Sequence, residues 1–288
     1  MAIIKFSGTP IEKLIETVSQ GIGVLYEPKR IRKKADAEAY RLEKLEEAKA
    51  KGLILKSDAE FEIIERARER FVHKEINRQI NLESIVEKST KHLGESVSED
   101  PVDEDWRTRF FNKAQDVTND DMQDIWSKIL ADEVTQPGKI SFRTLEIISN
   151  ISKNEAQIFE MACKIAFNGG MILKPNNSNA FDDFGINYSN LLTLRSAGLI
   201  YDSDTLTVTF EFNPMINGVI LNFGKILIIG SKENSSEIKF NQVKFTPAGN
   251  ELMQIISPEK NLEFLAKFKE EQEKQGITIN IPRQKNAQ

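Results

Sequence analysis

The chain has 288 residues, of which 40% are hydrophobic and 29% charged, with a formal net charge of -5 at pH 7. This length and composition are typical of a soluble protein with two or three compact units. The single cysteine excludes an internal disulfide, and with only two histidines most zinc sites and histidine-based catalytic sites are excluded too.

The first predicted element is an amphipathic helix that begins after Thr9. Thr9, Pro10 and Glu12 form a capping box with proline at the first helical position, which is a strong helix start. The apolar residues that follow fall on one face of a helix. We take them as candidate contacts with a membrane or a partner: Leu14, Ile15, Val18, Ile22 and Leu25.

A block of bases comes next and completes this candidate contact site: Lys29, Arg30, Arg32, Lys33 and Lys34. An apolar helical face followed by five bases fits an anionic membrane surface. The same face fits a protein core or a neighbouring subunit, and the bases also fit nucleic-acid phosphate. The sequence leaves these three interpretations open.

Residues 1–93 are predicted to form a helical arm. Helices are expected at about 29–51, at 57–80, and from a join at 81–83 to residue 92. Charged residues fall on all sides of these helices. The apolar stripes are narrow, as at Phe61, Ile64, Ala67 and Phe71. Such helices have little apolar surface for a core of their own, so the pattern predicts a hairpin or coiled coil within a homo-oligomer.

Residues 94–168 are predicted to form a compact helical domain, with helices at about 104–116, 119–134, 142–150 and 153–167. In residues 169–288, a helix at 188–197 precedes strand-like runs at 205–212, 219–221, 226–229 and 237–245. Two further helices are expected from Thr246 and Ser257. The predicted fold is therefore mainly α, with a long N-terminal helical arm, a central helical domain and a C-terminal winged-helix-like α+β domain.

The winged-helix-like pattern suggests an alternative function, nucleic-acid binding through Arg195 and Lys225. Between residues 174 and 249, however, six Lys and Arg face seven Asp and Glu. Such a balanced surface attracts phosphate weakly. The charge count therefore favours a structural or protein-contact role for this region.

The central stretch resembles an uncharacterised bacterial family, domain-of-unknown-function family 2806. The resemblance is carried by DW at 105–106, MQDIWSKILADE at 122–133 and PGKISFRTL at 137–145. The head of the chain, from Gly21 and Gly23 to Pro28 and the basic residues after it, resembles alpha-type abortive-infection proteins. Together these resemblances imply a bacterial cytoplasmic protein that is an antiphage or mobile-element accessory, and they transfer no catalytic residue.

These observations give one functional hypothesis. The chain is expected to be a non-enzymatic antiphage protein that acts by self-assembly and by contact with a partner or a membrane surface. The expected partners are copies of itself, a protein encoded nearby or an anionic membrane, with nucleic acid as the alternative. No cofactor, catalytic residue or metal site is expected. With no run of about 18 apolar residues, a cytoplasmic location is predicted, with peripheral contact to the inner membrane.

Overall fold

The computed structural model of the protein describes residues 9–23, 58–174, 181–203 and 205–282. It divides the chain into two compact units, Met1–Leu145 and Glu146–Gln288. The helix predicted at 29–51 lies outside the described residues. So do Leu25 and the basic block at residues 29–34.

Helices build the described part of the first unit. They are α1 (Pro10–Ile22), α2 (Asp58–Ser89), α3 (Glu104–Ala114), α4 (Asp120–Thr135) and the start of α5 (Phe142–Asn150). An aromatic cluster joins two of them: Phe110 stacks on Trp106 with 5.0 Å between ring centroids and lies 5.2 Å from Trp126. All three side chains are buried, so these rings hold α3 and α4 together.

Helix α1 begins as its sequence predicts. Thr9 Oγ1 accepts a hydrogen bond from the Glu12 amide at 3.3 Å, and the Glu12 carboxylate accepts one from the Thr9 amide at 3.4 Å, which confirms the capping box. The helix ends at Gly23, whose φ of 75° is left-handed. A Cβ at Gly21 would lie 2.1 Å from the Phe111 ring, so α1 approaches α3 more closely than any other residue at position 21 would allow.

Helix α2 is uninterrupted over 32 residues, and the join predicted at 81–83 is wrong. An asparagine that caps a helix bonds to the amides of that helix. The Asn81 side chain instead donates to the carbonyl oxygen of Gln115 at 2.9 Å, and the next residue, Leu82, is buried. These tertiary contacts keep the helix continuous, and at 1.5 Å per residue it is about 48 Å long.

The central stretch of the first unit packs around the loop at 136–141. The Glu133 carboxylate, 1% exposed, accepts hydrogen bonds from the amides of Gly138 at 2.7 Å and Ile140 at 2.9 Å. The Trp106 indole N–H donates to the Ile140 carbonyl oxygen at 2.9 Å. Because a buried charge is costly unless it is hydrogen-bonded, this arrangement fixes the loop. Glu133 and Trp106, both in the central stretch of the sequence, thus hold the loop at 136–141 in place.

The second unit combines helices with strands. Its described helices are the rest of α5, then α6 (Lys153–Ile165), α7 (Tyr188–Ser196), α8 (Pro247–Ile256) and α9 (Leu262–Glu273), with a short 3-10 turn at Asp182–Phe184. Ring contacts connect four buried phenylalanines of its core: Phe167, Phe223, Phe264 and Phe268.

The strands of the second unit form two small sheets. They are β1 (Met171–Leu173), β2 (Thr207–Glu211), β3 (Val219–Phe223), β4 (Ile226–Lys232), β5 (Glu237–Lys244) and β6 (Ile277–Asn280). One three-stranded sheet has the order β1-β5-β2 and the other β3-β4-β6. All pairs are antiparallel.

The predicted fold class, mainly α with a winged-helix-like C-terminal domain, is wrong, because the structure is a mixed α+β fold. The four predicted strands are present as β2 to β5, but they do not form one wing. Strand β5 pairs with β1 and β2, whereas β3 and β4 associate with β6. Strands β1 and β6 were not predicted; they have only three and four residues, and each supplies the third strand of a sheet.

Candidate interaction surface on helix α2

The N-terminal half of α2 carries apolar side chains that lie in solvent. Ile63, Ile64 and Phe71 are 60%, 39% and 64% exposed, and Ala67 is exposed as well. At about 100° per residue, these four positions share an arc of about 100° on the helix surface. We call these four residues the stripe.

The stripe lies on the same face of α2 that is buried in the core of the first unit further along the helix. Further along the helix, the same arc contains Leu82, Ile85 and Ser89. All three are buried, and Ile85 has no exposed surface. One helical face is therefore covered at its C-terminal end and open at its N-terminal end.

Polar contacts show where the covered half begins. Arg78 donates to the two carboxylate oxygens of Asp116 at 2.8 and 3.1 Å, and these hydrogen bonds hold the pKa of Asp116 below its ordinary value. Six residues on, the Ser84 hydroxyl donates to the Gln123 side chain at 2.7 Å. Among the described residues, the polar contacts of α2 with other helices lie at or beyond Arg78.

The contact site predicted from the sequence lies in the N-terminal segment, and the structure describes only part of it. Leu14 and Val18 are each 1% exposed, while Ile15 and Ile22 are half-buried. Leu25 and the five bases are outside the described residues. The described side chains of this apolar face thus pack within the first unit.

Lys13 fixes α1 against the loop that precedes α3. Its ammonium donates to the carbonyl oxygens of Ser98 and Asp100, the second at 2.6 Å. Burial lowers the pKa of Lys13. A lysine so near Leu14 was not recognised in the sequence as a packing residue, because an isolated lysine in an amphipathic helix usually lies in solvent.

The two residues considered for nucleic-acid contact lie on different elements of the second unit. Arg195, in α7, has a side chain only 8% exposed, with its Nε atom 3.7 Å from a carboxylate oxygen of Asp202. Lys225 is exposed in the turn between β3 and β4. A buried guanidinium beside a carboxylate is poorly placed to contact phosphate.

A cavity of about 850 Å³ lies beside Lys225 in the second unit. Its walls include Asn168, Phe223, Met253, Ser257 and Lys260. The Lys260 ammonium donates to the carbonyl oxygens of Cys163 at 2.7 Å and Ala166 at 2.6 Å, and burial lowers its pKa. A cation that satisfies the last carbonyls of a helix stabilises that helix, so Lys260 has a structural role in closing α6.

A metal site needs several ligating side chains close together, and a membrane span needs a long apolar helix. Within ranges 9–23, 58–174, 181–203 and 205–282, no three His, Cys, Asp or Glu side chains are close enough together to hold a metal ion. In the same ranges, no helix has the length and apolar content to cross a bilayer. Burial raises the pKa of the Cys163 thiol.

Comparison with known proteins identifies one family. Residues 65–269, which are 205 of the 288 residues, match the family described as "Protein of unknown function (DUF2806)". No significant match was found to a curated protein or to a solved structure. The matched region begins within the exposed half of α2 and ends in α9.

Proposed function

The chain belongs to the DUF2806 family of proteins of unknown function, and we propose that it is a non-enzymatic bacterial antiphage protein, of abortive-infection type, that acts by self-assembly. The observation that supports assembly is the exposed stripe on α2. The antiphage part rests on the resemblance of the head of the chain, from Gly21 onward, to alpha-type abortive-infection proteins.

Burial of the stripe gives a reason for copies to associate. Covering one large apolar side chain stabilises a complex by roughly 1.5–3 kcal/mol, and Phe71 and Ile63 are each more than half exposed. An apolar helical face that is buried at one end of the helix and exposed at the other is typical of a helix that packs on a neighbouring subunit. In this proposal the neighbour is a second copy of the chain.

The proposed location is the cytoplasm, with peripheral contact to the inner membrane through the basic residues 29–34. A protein partner encoded nearby fits the same proposal. Each basic residue near an anionic membrane surface would contribute about 1 kcal/mol to that membrane contact.

Light scattering tests the assembly. At micromolar concentration the protein should have at least twice the monomer mass of 32.8 kDa. Changing Phe71→Asp should reduce that mass, because a charge in a covered apolar contact is costly. The matched control is Leu262→Asp in α9, which replaces a side chain of similar exposure, 62%, and should leave the mass unchanged. A wild-type protein that remains monomeric would show that self-assembly is wrong.

Phage challenge tests the biological role. Bacteria that express the protein should form fewer plaques than bacteria with an empty vector, and the Phe71→Asp variant should lose that protection together with assembly. The Leu262→Asp variant should keep both. Full protection by a monomeric variant would separate defence from assembly and contradict the proposal.

A further inference from the structure

The stripe has a basic row beside it. Along one side of the helix surface two rows run with i, i+4, i+8 spacing, one apolar and one basic, and all six side chains are exposed: Ile63, Ala67 and Phe71, then Arg66, Arg70 and Lys74. Residues at this spacing are neighbours on a helix. The apolar row therefore has a continuous basic edge over residues 66–74, which is about two and a half turns of helix.

The other edge of the stripe carries charges of both signs. Arg68 lies there with its guanidinium paired with Glu65 at 2.8 Å, and Glu75 lies on the same edge, one turn after Phe71. The remaining acids of this segment lie toward the opposite face of the helix. The basic edge of the stripe is therefore the row Arg66, Arg70 and Lys74.

Pairing of two identical α2 helices with the stripe at the centre of the contact would bring like charges together. In an antiparallel pair centred on Ala67, Arg68 meets Arg68 of the second helix and Arg66 meets Arg66. In a parallel pair, Lys74 meets Lys74 within the apolar face. Like charges at such flanking and core positions are unfavourable and select against a pairing.

We propose that the stripe binds an amphipathic helix that has carboxylates beside its own apolar row. This inference rests on the proposed assembly and adds the chemistry of the surface that α2 contacts. In an assembly of identical chains, that surface is a different segment from α2, so the contact joins unlike surfaces. Contacts of this kind form rings or open chains of subunits.

Charge distribution favours such a helix over lipid or nucleic acid. Residues 62–75 contain four acids (Glu62, Glu65, Glu69, Glu75) and four bases (Arg66, Arg68, Arg70, Lys74), so their charges sum to zero. A neutral segment gains little from the broad negative potential of a membrane or a phosphate backbone. A partner with a matched row of carboxylates gains from each local pair.

Two synthetic helical peptides test the inference. They share one apolar row and differ only in the residue that flanks it, glutamate in one and lysine in the other. Fluorescence anisotropy of each labelled peptide is measured against the full chain. We expect the glutamate peptide to bind at least tenfold more tightly than the lysine peptide.

Charge reversal on the protein supplies the decisive variant. Arg66→Glu, Arg70→Glu and Lys74→Glu together should invert the preference, so that the lysine peptide binds more tightly. The matched control makes the same change in net charge at exposed lysines outside α2, with Lys153→Glu, Lys232→Glu and Lys239→Glu, and should keep the preference for glutamate. Urea midpoints equal to that of the wild type for both triple variants would show that neither has lost its fold.

The outcomes separate this inference from the proposed function. If the wild-type protein assembles but binds both peptides equally, assembly stands and the inference is wrong. If it is monomeric yet prefers the glutamate peptide, the inference stands and self-assembly is wrong. Loss of binding to anionic vesicles or to duplex DNA in the α2 triple variant, without any peptide preference, would overturn the inference in favour of lipid or nucleic acid.

Discussion

The two halves of helix α2 carry one apolar face but meet different surroundings. In the C-terminal half this face is covered by the helices of the first unit, as Leu82 and Ile85 show. In the N-terminal half the same face, with Ile63 and Phe71, is exposed. The lengths explain the difference, because α2 extends for about 48 Å whereas α4, with 16 residues, extends for about 24 Å.

An apolar pattern on a helix predicts a contact but does not identify the partner. The pattern is the same on both sides of Arg78, and the ion pair between Arg78 and Asp116 marks the point where the unit's own helices begin to cover it. Substitutions along the one helix can therefore measure how much each half contributes to folding. Ile85→Ala and Ile63→Ala make the same chemical change on the same helix, so burial is the main variable between them.

The largest expected effect belongs to the covered half. Ile85 has no exposed surface, and Ile85→Ala should lower the free energy of unfolding by about 2–5 kcal/mol through lost burial and a residual cavity. Urea unfolding followed by circular dichroism measures it. Ile85→Val, which removes a single methyl group, should cost about 0.5–1.5 kcal/mol. A negligible cost for both would show that this half does not stabilise the unit.

A smaller effect is expected from the polar contact at the start of the covered half. Asn81 donates to the carbonyl oxygen of Gln115, and its own oxygen accepts from Gln123 at 3.3 Å. Asn81→Ala should cost about 1–3 kcal/mol, because it leaves partly buried polar groups without partners. Asn77→Ala, one turn earlier, removes an exposed asparagine whose side-chain amide lies 2.9 Å from Nε2 of His73 in the same helix. That control should change the free energy of unfolding by about 0.5 kcal/mol or less.

Much of the helical structure follows from local signals in the sequence. The capping residues Thr9 and Ser152 mark helix starts that the structure confirms. Tertiary contacts determine what local signals miss. Asn81 suggests a break but bonds across to α3, and Ser257, taken as a helix start, has a left-handed φ of 41° and closes α8 instead. Strand pairing was beyond reach because β1 pairs with a strand about 70 residues further along the chain.

The candidate site was predictable only in part. The sequence showed Ile64, Ala67 and Phe71 as a narrow apolar stripe, since helical spacing alone reveals a face. It did not show that this face is exposed there and buried at Ile85, because exposure depends on where α4 ends. The contact site was instead predicted on α1, where Leu14 and Val18 pack within the first unit.

The boundary between the two halves should respond weakly to pH. Hydrogen bonds from Arg78 lower the pKa of Asp116 below its unfolded value near 3.8, so this pair stabilises the fold above about pH 3.8. The contribution is lost as pH falls through the lower, folded-state pKa. Asp116→Asn should therefore lower the urea midpoint at pH 6, by less than Asn81→Ala does, and the difference from wild type should shrink below pH 4.

A double-mutant cycle assigns that effect to the pair. Once Arg78→Gln has been made, adding Asp116→Asn should have little further effect, because the partner that lowered the carboxyl pKa is gone. If Asp116→Asn costs as much in the Arg78→Gln background as in the wild type, the two residues act independently and do not mark the boundary.

The smallest effect on folding is expected from Ile63→Ala, in the exposed half of α2. Ile63→Ala makes the same chemical change as Ile85→Ala, on the same helix, at a side chain that is 60% exposed. At concentrations low enough for the monomer, the free energy of unfolding should change by about 0.5 kcal/mol or less, since little apolar surface is uncovered.

As concentration rises, assembly stabilises the wild-type protein by mass action, and a variant that assembles less well gains less. The difference between the two proteins in unfolding midpoint should therefore grow with concentration, whereas the difference caused by Ile85→Ala at a fixed low concentration is already large. A cost for Ile63→Ala that is large and independent of concentration would mean that its face is covered within the monomer, and the contrast between the two halves of α2 would then be lost.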